Sequence, residues 1–247
     1  MRTSIATLAG SGLLLLSSAA AAQQPYGYSG AYNTGTYGPG AMPSSASGVD
    51  NIGVEGQFVL GVERITGLYW QRDTASVSDQ DVTQKHFTLG LLGMSAVTPS
   101  SVPRVAGDFF VIDSLSVGGS IAYFSDAPGM DPEPPGGASP DSTSGFLLNP
   151  RVGYAYVLDE TFAIWPRLGF MYAHSSTGDA SSSRTNLTID AMLTISPVEH
   201  VIFSVGPMLD LGLGGSTDMS NGAGGTTSVD TKLTSYGLTA GLGTYFP

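Results

Sequence analysis

The sequence has no cysteine among its 247 residues, and only 12% of its residues are charged. Without cysteine, neither disulfide bonds nor thiolate metal sites can hold the fold, so its stability must come from packing. Lysine and arginine together number 9 against 20 aspartate and glutamate residues, which gives a net charge of −11. Because the basic residues are also scattered along the sequence, this charge excludes nucleic acid as a partner.

Long hydrophobic runs are missing after the N-terminus. From residue 23 onward there is no run of about 18 apolar residues, which excludes membrane-spanning helices from that part of the chain. Residues 1–22 have the three parts of a secretory signal peptide: the basic Arg2, an apolar stretch from Ile5 to Leu16, and the small residues Ala19–Ala22. We therefore predict an exported protein whose signal peptide is cleaved after about Ala22.

The stretch that follows, residues 23–54, is rich in glycine, tyrosine and serine, most clearly at Tyr26–Gly38. Such a composition cannot bury enough apolar surface to offset the entropy that the chain would lose on folding. We predict a flexible linker over residues 23–54, followed by one folded domain over residues 55–247.

In this domain, segments of roughly ten residues alternate apolar with small or polar side chains, as is typical of membrane β-barrel strands. Thr185–Ile195 is the clearest case, with leucine, isoleucine and alanine on one face and asparagine, threonine and aspartate on the other. The nine candidate strands are Gln57–Gln71, Thr83–Met94, Arg104–Ile112, Leu115–Phe124, Gly145–Val157, Thr161–His174, Thr185–Ile195, Val201–Leu213 and Ser235–Phe246.

The connections between these segments alternate between short and long. Short connections such as Asp113–Ser114 and long ones such as Ser125–Ser144 and Ser175–Arg184 match the periplasmic turns and external loops of outer-membrane barrels. We predict an all-β, antiparallel, up-and-down transmembrane β-barrel. Bacterial barrels usually have an even number of strands, so we predict eight, counted from Thr83, with ten as the alternative. On that count Gln57–Gln71 is an extra segment. Alternatively it is the true first strand, and the region Thr83–Ile112 holds one strand fewer or more.

Two segments carry a family resemblance. The tight hairpin Asp108–Ser120 and the ending Tyr236–Phe246 resemble the outer-membrane β-barrel proteins of the small OmpA/OmpX-like class, over about residues 55–247. The resemblance implies an outer-membrane location in a Gram-negative cell. It also implies that the barrel-assembly machinery reads Tyr245 and Phe246 as a C-terminal signal, although Pro247 departs from the usual terminal aromatic residue. The class has no common catalytic residues.

Charged residues on the small and polar faces predict a network inside the barrel. Arginine on the lipid-facing side would cost about 2–4 kcal/mol at the membrane midplane, so these arginines should point inward. Buried charges must be paired, and an eight-stranded barrel has room only for side chains, so we predict a plugged interior. The residues of this predicted network are Arg104, Arg151, Arg167, Glu63, Asp108, Asp190 and Asp210.

These features predict a non-enzymatic outer-membrane barrel with a structural or interaction role, in contact with outer-membrane lipid and lipopolysaccharide and present as a monomer. A narrow porin-like channel is the alternative. A second alternative is an enzyme, because His174 and Ser176 resemble the His-x-Ser of lipid A deacylases, in which histidine is the base for a serine nucleophile. An orienting acid would have to come from a neighbour such as Asp190, which by alternation faces inward, and this argues against an enzyme. No cofactor is expected, and no metal, because the histidines lack ligand spacing.

Overall fold

The computed structural model describes residues 52–77, 80–91, 99–126, 141–220 and 225–247. The predicted signal peptide, residues 1–22, and residues 23–51 of the predicted linker lie outside the described residues. Among the described residues, no helix is long and apolar enough to cross a membrane. The strands are β1 (Phe58–Val77), β2 (Gln80–Leu91), β3 (Arg104–Ile112), β4 (Leu115–Asp126), β5 (Thr143–Tyr154), β6 (Tyr156–Val157), β7 (Phe162–Thr177), β8 (Ala180–Val198), β9 (Val201–Ser220) and β10 (Thr226–Phe246).

The strands form a closed antiparallel ring, because β1 pairs with both β3 and β10. The ring has eight positions, since two of them are each shared by two consecutive strands. β2 pairs with residues 66–77 of β1 and β3 pairs with residues 58–63, so both run in the same direction beside β1. β5 and β6 likewise share one position beside β7. The predicted antiparallel up-and-down barrel is confirmed.

The eight positions are assigned differently from the count that starts at Thr83. Gln57–Gln71, which that count left over, forms most of the first strand, β1. The region Thr83–Ile112 supplies a single ring position, in which β2 ends at Leu91 and β3 begins at Arg104. A sequence count of nine therefore corresponds to eight positions, with one position counted twice.

The two ends of the barrel differ. Short turns and the last residue of the chain lie at one end of the barrel, which we call the terminal end. There Asp113–Ser114 joins β3 to β4, and Glu199–His200 joins β8 to β9. We call the opposite end the distal end. There the strands extend further than the sequence alternation predicts. β7 and β8 continue to a two-residue turn at Gly178–Asp179, so the predicted long loop Ser175–Arg184 is largely paired strand.

Four prolines lie inside strands, each opposite a gap in one ladder. Pro197 and Pro207 lie at gaps in the β8–β9 ladder, and Pro150 at a gap in the β5–β7 ladder. Pro166 lies where β5 gives way to β6, and there the Ala155 N–H donates to Ser114 O at 2.7 Å. Because proline has no N–H, a closed ring can hold it only where a ladder is interrupted.

Outward-pointing side chains form an apolar band bounded by two rows of aromatic residues on adjacent paired strands. The row near the terminal end is Phe109–Phe58–Phe246. The row toward the distal end is Phe87–Trp70–Tyr236. On β10 the two rows are ten residues apart. This spacing is about 33 Å along the strand, or about 25 Å in height at a tilt of about 40°, which matches the apolar band of an outer-membrane barrel.

An apolar layer fills the interior at the terminal end. Ile52 is fully buried and packs with a cluster that includes Phe110, Trp165 and Tyr245. Residues 52–57 cross this end of the ring, with Gly53 and Gly56 at φ of 111° and 85°, values that favour glycine. The last residues assigned to the linker therefore cover the interior from below.

Candidate functional site: the charged interior

The interior above the apolar layer holds a cluster of charged side chains. Strand alternation turns every second residue inward, and all seven residues of the predicted network are buried there. Inward glycines leave the room that these long side chains occupy. A Cβ atom on Gly153 would lie 2.5 Å from Trp165 Nε1 and 3.0 Å from Arg167 Cγ. Arg167 is thus packed against a position that only glycine can fill without displacing its neighbours.

Arg151 on β5 joins two carboxylates. Its Nε and Nη2 both donate to Asp108, with Nε lying 3.0 Å from Oδ1. Its Nη1 donates to Glu63 Oε2 at 2.7 Å. The guanidinium side chain is 1% exposed, so Arg151 is a buried cross-brace between β5, β3 and β1. Bidentate guanidinium–carboxylate pairs of this kind are among the strongest charge-assisted hydrogen bonds.

Arg167 on β7 extends this chain of contacts around the ring. Its Nη1 donates to Glu63 Oε1, and its Nη2 lies 3.4 Å from Asp190 Oδ2. The guanidinium also lies 5.1 Å from the centre of the Trp165 ring, in cation–π geometry. The Trp165 Nε1 donates to Ser116 Oγ at 3.2 Å. Glu63 is therefore shared by two arginines, and the apolar and charged layers meet at Trp165.

Arg64 is a member of the cluster that sequence alternation missed. Simple alternation places Arg64 on the lipid side, because its neighbour Glu63 points inward. A β-bulge between Val62 and Thr66, with Arg64 at φ of 55°, turns both side chains inward. Arg64 donates to both oxygens of Asp210 at 2.7 and 2.9 Å. The sequence does carry a signal for the inward orientation of Arg64, because an arginine that faces lipid in the middle of a strand is energetically costly.

Arg104 is buried with the others but is held differently. Its Nη2 donates to Pro99 O at 3.1 Å and lies 3.3 Å from Met171 Sδ. Among the described residues, no carboxylate oxygen lies within 4.0 Å of its guanidinium nitrogens. The structure therefore brings six of the seven predicted residues into ion pairs and places Arg104 beside them.

The segment that precedes β3 packs against this cluster from within the ring. Ser100 and Val102 are buried, and Ser100 O accepts a hydrogen bond from Arg64 Nη1. Residues 99–103 thus enter the interior at the break between β2 and β3. A cavity of about 30 Å³ remains beside Glu63 and Arg151, which is room for about two water molecules. Four arginines face four carboxylates in this layer, so its formal charges balance.

The other predicted site residues lie apart from the cluster. Phe246 points outward in the terminal aromatic row, whereas Tyr245 points inward and is 1% exposed. His174 Nδ1 lies 3.0 Å from Ser183 Oγ, its cross-strand neighbour, and Ser176 faces Ser181 instead. Within the described ranges, no group of three histidine or acidic side chains is placed to hold a metal ion.

Comparison with known proteins finds likeness in fold alone. No protein-family model matches the sequence, and no curated protein matches it. The outer membrane protein OprG from Pseudomonas aeruginosa is 10% identical, over 78% of this chain and 97% of that chain, with a TM-score of 0.48. Neisserial surface protein A is 13% identical, over 78% and 100%, with a TM-score of 0.42. The attachment invasion locus protein Ail of Yersinia pestis is 14% identical, over 78% and 100%, with a TM-score of 0.36.

Proposed function

We propose that this chain is a non-enzymatic β-barrel of the Gram-negative outer membrane, monomeric and closed to ions, with a structural or interaction role. One observation carries the proposal: a ring closed by β1 and β10 has an apolar outer band and an interior filled by balanced ion pairs. This is the reverse of a water-soluble protein, in which apolar side chains lie inside and charges lie outside.

The outer face supports a location within a membrane. Leu238 and Leu242 on β10 are 49% and 41% exposed, and similar side chains continue around the ring. A continuous exposed apolar band of this size needs lipid or a partner to cover it. The aromatic rows at its two limits are the positions at which amphipathic rings favour the membrane–water interface.

The interior supports a closed barrel. A conducting pore needs a continuous water-filled path, but the cavity beside the ion pairs holds only about two waters. The apolar cluster around Ile52 closes the terminal end below the ion pairs. An eight-stranded barrel has an interior just wide enough for its own side chains. The narrow-channel alternative would require these layers to separate.

The surroundings of His174 support a non-enzymatic role. The imidazole contacts Ser183 and lies beside the Phe146 ring in a tilted arrangement, with ring centres 5.8 Å apart. Among the described residues, no carboxylate is hydrogen-bonded to this histidine, so the base of a hydrolytic triad would lack its orienting acid. For biogenesis we propose recognition of the C-terminal strand by the barrel-assembly machinery, with Phe246 exposed at its end.

Single-cysteine labelling tests location and orientation directly, because the chain has no cysteine of its own. Asp179→Cys places a thiol at the distal turn, and Asp159→Cys places one at the terminal end as the matched control. A membrane-impermeant maleimide should label Asp179→Cys on intact cells and Asp159→Cys only after permeabilisation. The purified protein should also migrate faster on gels before heating than after it. Recovery of unlabelled, soluble protein from the periplasm would overturn the membrane proposal.

A further inference from the structure

The basic residues outside the interior gather in one place. Lysine and arginine number 9 in the chain. Arg2 lies in the predicted signal peptide, Arg64, Arg104, Arg151 and Arg167 are buried in the interior, and Arg184 pairs with Asp73 at 3.2 Å. The three that remain are exposed: Arg72, Lys85 and Lys232. We call these three the basic triad.

The triad lies on three adjacent strands, immediately beyond the distal aromatic row. Strand pairing places Phe87, Trp70 and Tyr236 side by side on β2, β1 and β10. Two residues further toward the distal end, Lys85 pairs with Arg72, and Lys232 follows in the next outward row beside Thr74. All these side chains point outward, because side chains two residues apart on a strand lie on the same face of the sheet.

Within the part of the chain that the structure describes, the triad is not ion-paired, and the nearest carboxylates on its face, Asp81 and Asp230, lie one row beyond Lys232. Among the described residues, no ion pair within 4.0 Å involves any of the three. Lys85 and Arg72 face each other directly across the ladder, and like charges in that position destabilise a sheet. The rest of the outer surface is acidic or neutral, so three unpaired cations together are a local exception. An anion bound between them would relieve the repulsion.

The aromatic row indicates what kind of anion fits. Trp70 stacks against Tyr236 with ring centres 5.9 Å apart and contacts Phe87 at 5.2 Å. Leu89, Leu68 and Leu238 form the next outward row toward the membrane centre. A ligand that uses this whole surface has a phosphate beside the triad, a polar junction at the aromatic rings and acyl chains along the leucines.

We propose that Arg72, Lys85 and Lys232 bind the phosphate groups of a phosphorylated lipid in the outer leaflet, with its acyl chains lying over the Phe87–Trp70–Tyr236 row. This inference rests on the proposed membrane location and adds a specific lipid site to it. On the distal side the site is limited by Asp81 and Asp230, which flank Ser76; Ser76 donates to Asp81 at 2.6 Å. The phosphates therefore lie on the aromatic side of that acidic row.

Trp70 reports on this site. The barrel is folded into phosphatidylcholine vesicles and titrated with bis-phosphorylated lipid A, while tryptophan fluorescence is recorded. The other tryptophan, Trp165, is buried in the interior and supplies a constant background. Lipid A should shift the Trp70 emission, and dephosphorylated lipid A should not. Each basic residue near a membrane surface is worth about 5-fold in affinity, so Arg72→Gln/Lys85→Gln should bind about 30-fold more weakly.

The matched control lowers the net charge equally at another part of the rim. Ser125 and Ser176 point outward in the row next to the aromatic Tyr123 and Phe146, on the distal side. Lys85 and Arg72 have the same position relative to Phe87 and Trp70. Ser125→Asp/Ser176→Asp should leave lipid A affinity within about 2-fold of the unmodified protein, because charges this far apart are screened. An equal loss in both double variants would overturn the site, since overall charge would explain it.

Four further results would overturn the lipid-phosphate site. Binding of dephosphorylated lipid A with equal affinity, or displacement of lipid A by millimolar inorganic phosphate, would overturn a lipid-phosphate site. Heat-modifiable gel migration is measured on every sample. If the unmodified barrel migrates as folded in vesicles but lipid A causes no shift, this inference fails and the membrane barrel stands. If the protein does not form a heat-modifiable barrel, the membrane proposal and the site fail together.

Discussion

The cations inside the barrel and those outside it contrast sharply. Arg64, Arg151 and Arg167 are each at most 5% exposed and contact carboxylates on other strands. Arg72 and Lys85 are exposed and face each other without a counter-charge among the described residues. The same chemical group therefore has two roles in one protein. Inside, it ties strands together across the interior, and outside it is free to bind an anion.

The difference follows from the solvent on each side. A buried charge without a partner is very costly, so Arg64, Arg151 and Arg167 are each held by carboxylates, and Arg104 is held by Pro99 O. A charge at the membrane surface keeps its water and costs little when unpaired. Removing an interior arginine should therefore mainly affect stability, and removing an exterior cation should mainly affect binding.

Arg151→Ala should have the largest effect on stability. It leaves Glu63 and Asp108 buried with one partner fewer, and breaking a buried pair in this way costs about 3–5 kcal/mol. The free energy of unfolding is measured by urea titration in phosphatidylcholine vesicles. Arg72→Ala is the exterior control, for which a change within about 0.5 kcal/mol is expected. Equal losses for the two variants would remove the distinction between interior and exterior arginines.

The Arg64–Asp210 pair should show strong coupling. Arg64→Met leaves Asp210 buried without its partner, and Asp210→Leu leaves Arg64 with only the longer contact to Asp190 at 3.8 Å. Each should cost about 3 kcal/mol, whereas the double variant removes both charges of the pair. The two losses should therefore fall short of additivity by about 1–3 kcal/mol in a double-mutant cycle. Strict additivity in the same urea titrations would mean that water already separates the two side chains.

Gly153→Ala should disturb the contact between the apolar and charged layers. The added Cβ would lie 2.7 Å from Ser116 Oγ and 2.5 Å from Trp165 Nε1, so the ring must move. Overpacking of this kind costs about 1–3 kcal/mol. A lower melting temperature and a shifted Trp165 emission are expected. Gly214→Ala is the matched control, because nothing lies within 4 Å of a Cβ atom there; an equal effect there would contradict the packing explanation.

Arg184→Ala should have the smallest effect. Its ion pair with Asp73 at 3.2 Å lies near the distal opening, where the two side chains are 19% and 32% exposed. Half-hydrated pairs contribute less than about 1 kcal/mol, and salt screens them. The loss in unfolding free energy should shrink further in high salt. A loss as large as that of Arg151→Ala, unchanged by salt, would place this pair in the dry interior.

Local patterns in the sequence predict much of this architecture. Alternation over Thr185–Ile195 and its counterparts predicts the antiparallel barrel, and the same alternation predicts inward faces for the seven charged residues. Neither the bulge that turns Arg64 inward nor the break that splits one ring position into β2 and β3 follows from alternation. Both arise from how strands meet across the ring, which no single segment encodes.

The basic triad is a second feature that the linear sequence conceals. Arg72 and Lys85 are 13 positions apart, and Lys232 is far from both, so the cations look scattered along the chain. They become neighbours because β10 closes the ring against β1 and β2 forms a hairpin with β1. Lateral register is set by long-range pairing, and sequence alternation alone does not specify it.

Ion conductance tests the central claim, that balanced interior charges close the barrel. The unmodified protein is inserted into planar lipid bilayers and recorded beside Arg151→Ala, with insertion verified by heat-modifiable migration of the same sample. The account predicts no steady conductance from the unmodified protein, because the ion pairs and the apolar layer around Ile52 fill the interior. It predicts intermittent small openings from Arg151→Ala. Steady, ohmic conductance from the unmodified protein would show that the interior is a hydrated pore and would contradict the account.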